Sequence, residues 1–178
     1  MFQYERDAQR VYEAVIKRME LFGLELSKEK TRILPFGRYS GSRETFDFLG
    51  FTHFNSKTRK GYYSVGHKIS RKKKKQFKSN LKKWVKENRN TQFDEFMKIL
   101  NKKLTGSFNY YSISGMIKEV RSLWIHSLYV TYKWLNRRSQ RRSFKLERFY
   151  EIWNDRIIHP YIHVDIWSSD KVIYNKNV

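Results

Sequence analysis

Between Lys133 and Phe144 the chain reads Lys133-Trp134-Leu135-Asn136-Arg137-Arg138-Ser139-Gln140-Arg141-Arg142-Ser143-Phe144, an apolar helical face running into four arginines. Guanidinium groups offer forked donors and flat faces, which is the chemistry of phosphate recognition. A second cationic run, Arg71-Lys72-Lys73-Lys74-Lys75, opens an amphipathic stretch and continues through Lys78 and Lys82. Cations at a helix start oppose the macrodipole, so that end suits a bound anion better than bare solvent. Taken alone, such a run also fits a solvated face or a localisation-like patch. The candidate phosphate contacts are Lys72, Lys73, Lys74, Lys75, Lys78, Lys82, Arg137, Arg138, Arg141 and Arg142, the arginines being the more selective group.

The other chemistry-bearing residues are dispersed. Two-metal phosphoryl chemistry needs clustered carboxylates, yet Asp7, Asp47, Asp94, Asp155, Asp165 and Asp170 include no adjacent pair. His159 and His163 stand four apart, which in an extended arm is ~13 Å, and neither a cysteine nor a third ligand accompanies them, so no metal site is expected. His53, His67 and His126 read as ordinary surface or partly buried residues. Nucleophile and base pairs, phosphate-cradling glycine loops and nucleotide folds are not recognisable.

Composition points the same way as the arginines. Thirty-eight Lys and Arg against 17 Asp and Glu give a net charge of +21, an excess whose self-repulsion a polyanion, most often nucleic acid, would balance. Twelve Tyr, 13 Phe and five Trp can fill a core or stack on unpaired bases; most are assigned to the core. Without cysteine, disulfides and thiolate metal sites are excluded. No apolar run approaches the ~20 residues of a membrane span, and Met1 to Arg10 lacks the apolar region of a signal peptide, so a soluble, cytoplasmic protein without membrane contacts is expected.

An α+β chain must position these groups. Ala8, Val11, Tyr12, Val15, Met19 and Phe22 recur at helical spacing, and Gly23 ends that helix. Thr31 to Phe36, Phe46 to Phe54 and Tyr62 to Val65 read as short strands of an antiparallel sheet, with Ser56 to Gly61 as the likeliest turn. From His67 onward the chain turns helical and basic, which places a boundary between segments 1–66 and 67–178. Four helices follow. The first spans Ser70 to Asn88 around Phe77, Leu81, Trp84 and Val85; the second is capped by Thr91 and broken or bent at Gly106. The third runs from Ser114 to Arg138 with Ile117, Val120, Trp124, Leu128, Thr131 and Leu135 on one stripe, and the fourth from Leu146 to Ile157, stopped by Pro160. Tyr161 to Trp167 reads as an extended arm.

Four motifs, in order, resemble one family, the group II intron-encoded reverse transcriptases or intron maturases. Phe22 to Thr31 is similar to the family's late palm motif, and Phe46-Asp47-Phe48-Leu49-Gly50-Phe51 to the primer-grip hairpin after it. Leu100-Asn101, Leu104 and Gly106 to Tyr111 resemble the maturase-specific motif of the thumb helices, and Lys133 to Phe144 resembles the basic stretch after the third thumb helix. The resemblance implies a small antiparallel palm remnant over residues 1–66 and a mostly α-helical thumb and maturase region over 67–178 that binds group II intron RNA, and an RNA/DNA duplex in the intact enzyme.

The family's Tyr-Ala-Asp-Asp motif would lie upstream of the helix near Asp7, so this polypeptide alone is expected not to polymerise DNA, and to need no cofactor; magnesium belongs to the intact polymerase. By resemblance Lys30 stabilises a pyrophosphate leaving group; as a residue it also reads as a surface lysine after a turn. Phe48, Leu49 and Gly50 would position a primer end, while alternation explains them equally as a buried strand with a close-approach glycine, the preferred reading. Asn109, Tyr110 and Tyr111 could meet RNA, with helix-end packing preferred. Gly106-Ser107 stands where the family usually has Gly-Trp, and the proline-rich end is reduced to His159-Pro160-Tyr161-Ile162, departures that suggest a truncated or degenerating copy or a deliberately cut fragment; the complementing half of a split polymerase is the enzymatic alternative.

Overall fold

A three-stranded antiparallel sheet and five helices make up the α+β structure, a computed structural model in which residues 2–27, 29–138 and 143–162 are described. The elements are α1 (Glu5–Leu21), β1 (Thr45–Phe48), β2 (Phe51–Lys57), β3 (Tyr63–Ile69), α2 (Arg71–Asn88), α3 (Phe93–Tyr111), α4 (Ile117–Leu135) and α5 (Leu146–Arg156). Among the described residues no helix is long and apolar enough to cross a membrane.

The strands differ from expectation in instructive ways. The run Phe46 to Phe54 is not one strand but a hairpin, because Leu49 (φ 48°) and Gly50 (φ 83°) both turn left-handed and fold β1 back on β2 with Phe48 opposite Phe51. Two positive φ angles in succession match the twist of a two-residue hairpin turn. Thr31 to Phe36 forms no strand: Pro35 removes a ladder donor, and Gly37 at φ 136° diverts the chain. β3 runs four residues beyond its expected end at Val65, so the compositional change at residue 67 falls inside a strand. Ile69 opposes Phe51, and both are buried in the same core as the helices.

Ser70 converts strand to helix. Its side chain accepts a hydrogen bond from the Lys73 N–H and so caps α2, while its own N–H donates to Gly50 O at 2.9 Å. α3 starts at Gln92 without a side-chain cap, so Thr91 does not play the expected role. Nor does Gly106 interrupt α3: it faces open space while Leu104 and Phe108 on either side are 1% and 2% exposed, and their burial outweighs a glycine penalty of roughly 1 kcal/mol. α4 is shorter than expected because Gly115 turns at φ 84° before it and Asn136 closes it.

One core joins α2, α3, α4 and α5, with Val85, Leu100, Leu123, Leu135, Phe149 and Trp153 all inaccessible. α1 forms as its periodicity predicts, yet none of its residues is buried, and Val11 and Val15 stay 42% and 37% exposed. Substitution should report this contrast: Leu100→Ala is expected to cost about 2–5 kcal/mol in urea unfolding, and Val15→Ala under ~0.5 kcal/mol. Equal losses at the two positions would show that the α1 stripe is packed.

Candidate nucleic-acid interface

α2 divides its residues cleanly. Leu81 and Val85 are buried and Phe77 and Trp84 pack against the core, while Lys72, Lys75, Ser79, Lys82, Lys86 and Arg89 recur at three- and four-residue spacing along another flank. Contacts with α4 settle how the two helices lie. Lys74 pairs with Glu119 near one end, and Lys86 and Arg89 lie over the Trp134 ring near the other, so α2 and α4 run parallel. α4 adds exposed Lys118, Arg121, Ile125, Tyr129 and Lys133 to the same side of the molecule as it turns away from the core. The pair holds nine Lys or Arg on α2 and three on α4 against one glutamate on each helix, so salt bridges between them cannot neutralise the surface.

The expected contact residues fall into distinct settings. Lys72, Lys73, Lys75 and Lys82 are exposed, whereas Lys74 is partly buried in its pair with Glu119. Lys78 is half-buried beside His126, whose pKa is held below its usual value by burial and then by the Lys78 charge. Arg137 lies over Trp134, its Cζ 5.4 Å from the ring centroid. Arg138 is occupied internally: Nε donates to Leu135 O and Nη1 to Arg89 O, at 3.3 and 3.4 Å. Arg141 and Arg142 lie outside the described residues, as does His163.

Asn136, which carried no sequence signal, joins the end of α4 to Phe144. Its amide donates to Phe144 O at 3.1 Å and accepts from Phe144 N at 2.9 Å. Trp134, Lys86 and Arg89 were also missed; continuing the spacing of Lys72, Lys75 and Lys82 by four and three reaches the two cations.

The hairpin tip overturns the preference for a buried strand. Phe48 and Leu49 are 60% and 68% exposed. Gly50 is set by its left-handed φ of 83° rather than by a close approach: a Cβ there would sit at ordinary contact distance, 3.4 Å from Lys73 Cγ and 3.7 Å from the Tyr111 hydroxyl. The Tyr110 hydroxyl donates to Leu49 O, and Phe51 stacks on Tyr110 with ring centroids 5.6 Å apart. Tyr111 is buried, with its pKa raised by burial and then by Tyr110, so helix-end packing is its role, while Tyr110 remains 52% exposed. The fold thus brings Phe48, Leu49 and Gly50 beside the lysine run and leaves Arg137 and Arg138 at the far end of α2, ~25 Å along a helix of this length. Lys30 is exposed in a turn closed on Ser27 O, at 3.0 Å from its own N–H.

Among the described residues no three His, Cys, Asp or Glu side chains are grouped to hold a metal, and His159 instead packs on Trp124 at 5.1 Å. A cleft of about 430 Å³ beside the start of α2 is lined by Asp47, Lys68, Arg71, Lys74 and Glu119 among others. Asp47 accepts from the Thr52 hydroxyl and Glu119 pairs with Lys74, and among the described residues Lys68 and Arg71 form no ion pair.

No family model, curated protein or solved structure matches the chain. The geometry of its own side chains is therefore what bears on function.

The sheet carries one pH-sensitive histidine. His67 opposes His53 directly across β2 and β3, both His67 ring nitrogens are buried without a hydrogen-bond partner, and its pKa is lowered by burial and then by His53. A histidine depressed in the folded state binds fewer protons there than in the unfolded chain. Its contribution is complete above the unfolded value of about 6.5 and declines as pH falls below it. Urea unfolding should show lower stability at pH 5 than at pH 7.5, and His67→Leu should reduce that difference; an unchanged difference would remove His67 as a cause.

Proposed function

We propose that this chain binds structured RNA along the face shared by α2 and α4, as the end-of-palm and thumb/maturase portion of a group II intron reverse transcriptase. The observation that carries the proposal is the pair of parallel helices with twelve cations and two glutamates, one of them held by Lys74. A surface of point charges about 27 Å long, rather than an enclosed pocket, suits a backbone read by charge and shape. The exposed Phe48, Leu49 and Tyr110 at one end and Tyr129 on α4 offer apolar and aromatic faces for unpaired bases. Among the described residues no carboxylates are grouped to hold a metal, and the activity proposed for this chain is binding, with splicing assistance and duplex holding belonging to the intact enzyme.

One observation favours a second reading, in which the chain completes a separately encoded catalytic half. The α1 stripe, with Val11, Val15, Leu21 and Phe22 all exposed, is an apolar face that such a half would cover. Restored dNTP incorporation on mixing would establish it.

Binding to a folded group II intron RNA, with excess tRNA as competitor, tests the first reading. Lys72→Ala, Lys75→Ala and Lys82→Ala together should weaken binding and make the dependence of log K on log salt shallower by roughly 2–3. An unaltered slope would place the RNA elsewhere.

A further inference from the structure

Three cations from two helix ends converge on a single indole. Lys86 Nζ lies 5.8 Å from the Trp134 ring centroid, Arg89 Cζ 5.7 Å and Arg137 Cζ 5.4 Å. Lys86 belongs to the last turn of α2, Arg89 is its C-cap, and Arg137 follows the C-cap of α4. Among the described residues none of the three forms an ion pair; the three pairs present use Lys74, Arg148 and Arg156.

The parallel packing of α2 and α4 accounts for part of this charge. Each helix C-terminus carries about half a negative charge, so two together call for about one cation. Arg138 already fills that place, with donors on Leu135 O and Arg89 O. Lys86, Arg89 and Arg137 are in excess of it. An aromatic quadrupole attracts one cation well, and three on one ring repel each other at separations within roughly a Debye length of ~8 Å at physiological salt. Next to Arg137, Asn136 is held by two hydrogen bonds to the Phe144 backbone. The result is a preformed set of unneutralised donors, two of them forked, around a flat support.

We infer that Lys86, Arg89 and Arg137, supported by Trp134, form a discrete site for neighbouring phosphates, separate from the lysine run at the other end of α2. An RNA backbone lying along α2 supplies those phosphates, and in this the inference rests on the RNA-binding function proposed above. Because the two ends of α2 are ~25 Å apart, a short anion fills only one of them, whereas a folded RNA reaches both.

Short and long polyanions separate the site from its source of phosphate. With the full chain, inorganic tripolyphosphate should change tryptophan emission, the change should vanish in Trp134→Phe, and binding should weaken at least tenfold in Arg89→Gln/Arg137→Gln but little in Lys72→Gln/Lys75→Gln. For an RNA hairpin, the Arg89→Gln/Arg137→Gln salt dependence should be shallower by roughly 1.5–2. Should circular dichroism show that the double variant has lost helix, Lys86→Gln carries the same comparison, since Lys86 is exposed. Equal loss of tripolyphosphate binding in both double variants would overturn the site as mere net charge. A normal RNA slope in Arg89→Gln/Arg137→Gln beside a reduced one in Lys72→Gln/Lys75→Gln would overturn the RNA assignment here while leaving RNA binding intact. Tripolyphosphate binding with the predicted pattern, but no RNA binding by the wild type, would retain the phosphate site and discard the proposed function.

Discussion

The side-by-side, parallel packing of α2 and α4 is the constraint from which the rest follows. Antiparallel neighbours cancel their dipoles, whereas a parallel pair places two sets of unsatisfied N–H groups at one end and two sets of carbonyls at the other. Burial holds the pair in place. Val85 on α2 and Val120 and Leu123 on α4 are inaccessible in one core. At about 1.5–3 kcal/mol per buried aliphatic side chain, this outweighs a dipole penalty of about 1 kcal/mol. α3, which joins the two in sequence, supplies Phe96, Leu100 and Leu104 to the same core.

From that packing the two ends acquire different electrostatics. At the carbonyl end, Arg138 meets a partial negative charge and is favoured, with Lys86, Arg89 and Arg137 in excess of it. At the amide end, the cations from Arg71 to Lys75 meet a partial positive charge, and Glu119 answers only Lys74. The hairpin is fastened at this less favourable end, through the Ser70 N–H on Gly50 O and the Tyr110 hydroxyl on Leu49 O. Gly50 is favoured as glycine by its φ of 83°, and the Lys73 stem lies at contact distance beside it. An exposed apolar tip and an uncompensated cationic helix start are therefore built as one unit, although they lie far apart in composition.

Periodicity made the four C-terminal helices and their buried stripes legible, because Leu81, Leu100, Val120 and Trp153 sit where a 3.6-residue repeat puts them. Features set by non-local partners were not legible in the same way. A left-handed Leu49 is a poor guess from residue type, since leucine rarely takes that conformation, and only the pairing of Phe48 with Phe51 demands it. Gly106 signals a break that Leu104 and Phe108 override by burial. Asn136 looks like any helix-end asparagine until Phe144 returns to meet both ends of its amide. In the candidate interface the lysines were readable as a run, but Trp134 as a gathering point for Lys86, Arg89 and Arg137 needed the parallel packing, which no local pattern encodes. The exposure of the α1 stripe is a further case, because periodicity reveals an apolar face and is silent about whether anything covers it.

Stability of the free chain and affinity for an anion pull in opposite directions at both ends of α2. Replacing a lysine of the Lys72 to Lys75 run with a neutral residue relieves repulsion with its neighbours and with the helix dipole, yet removes a charge that a phosphate would meet. The same holds around Trp134, where three cations exceed what two helix ends require. A sequence shaped by folding alone would place acids in the first turn of α2, as α1 does with Glu5 and Asp7 and α3 with Asp94 and Glu95. α2 departs from that rule at the helix best placed to meet a partner. An anion that binds only the folded state lowers its free energy by mass action and turns this electrostatic cost into a source of affinity. Repulsion stored in the fold and phosphate binding on its surface are thus two sides of one thermodynamic cycle.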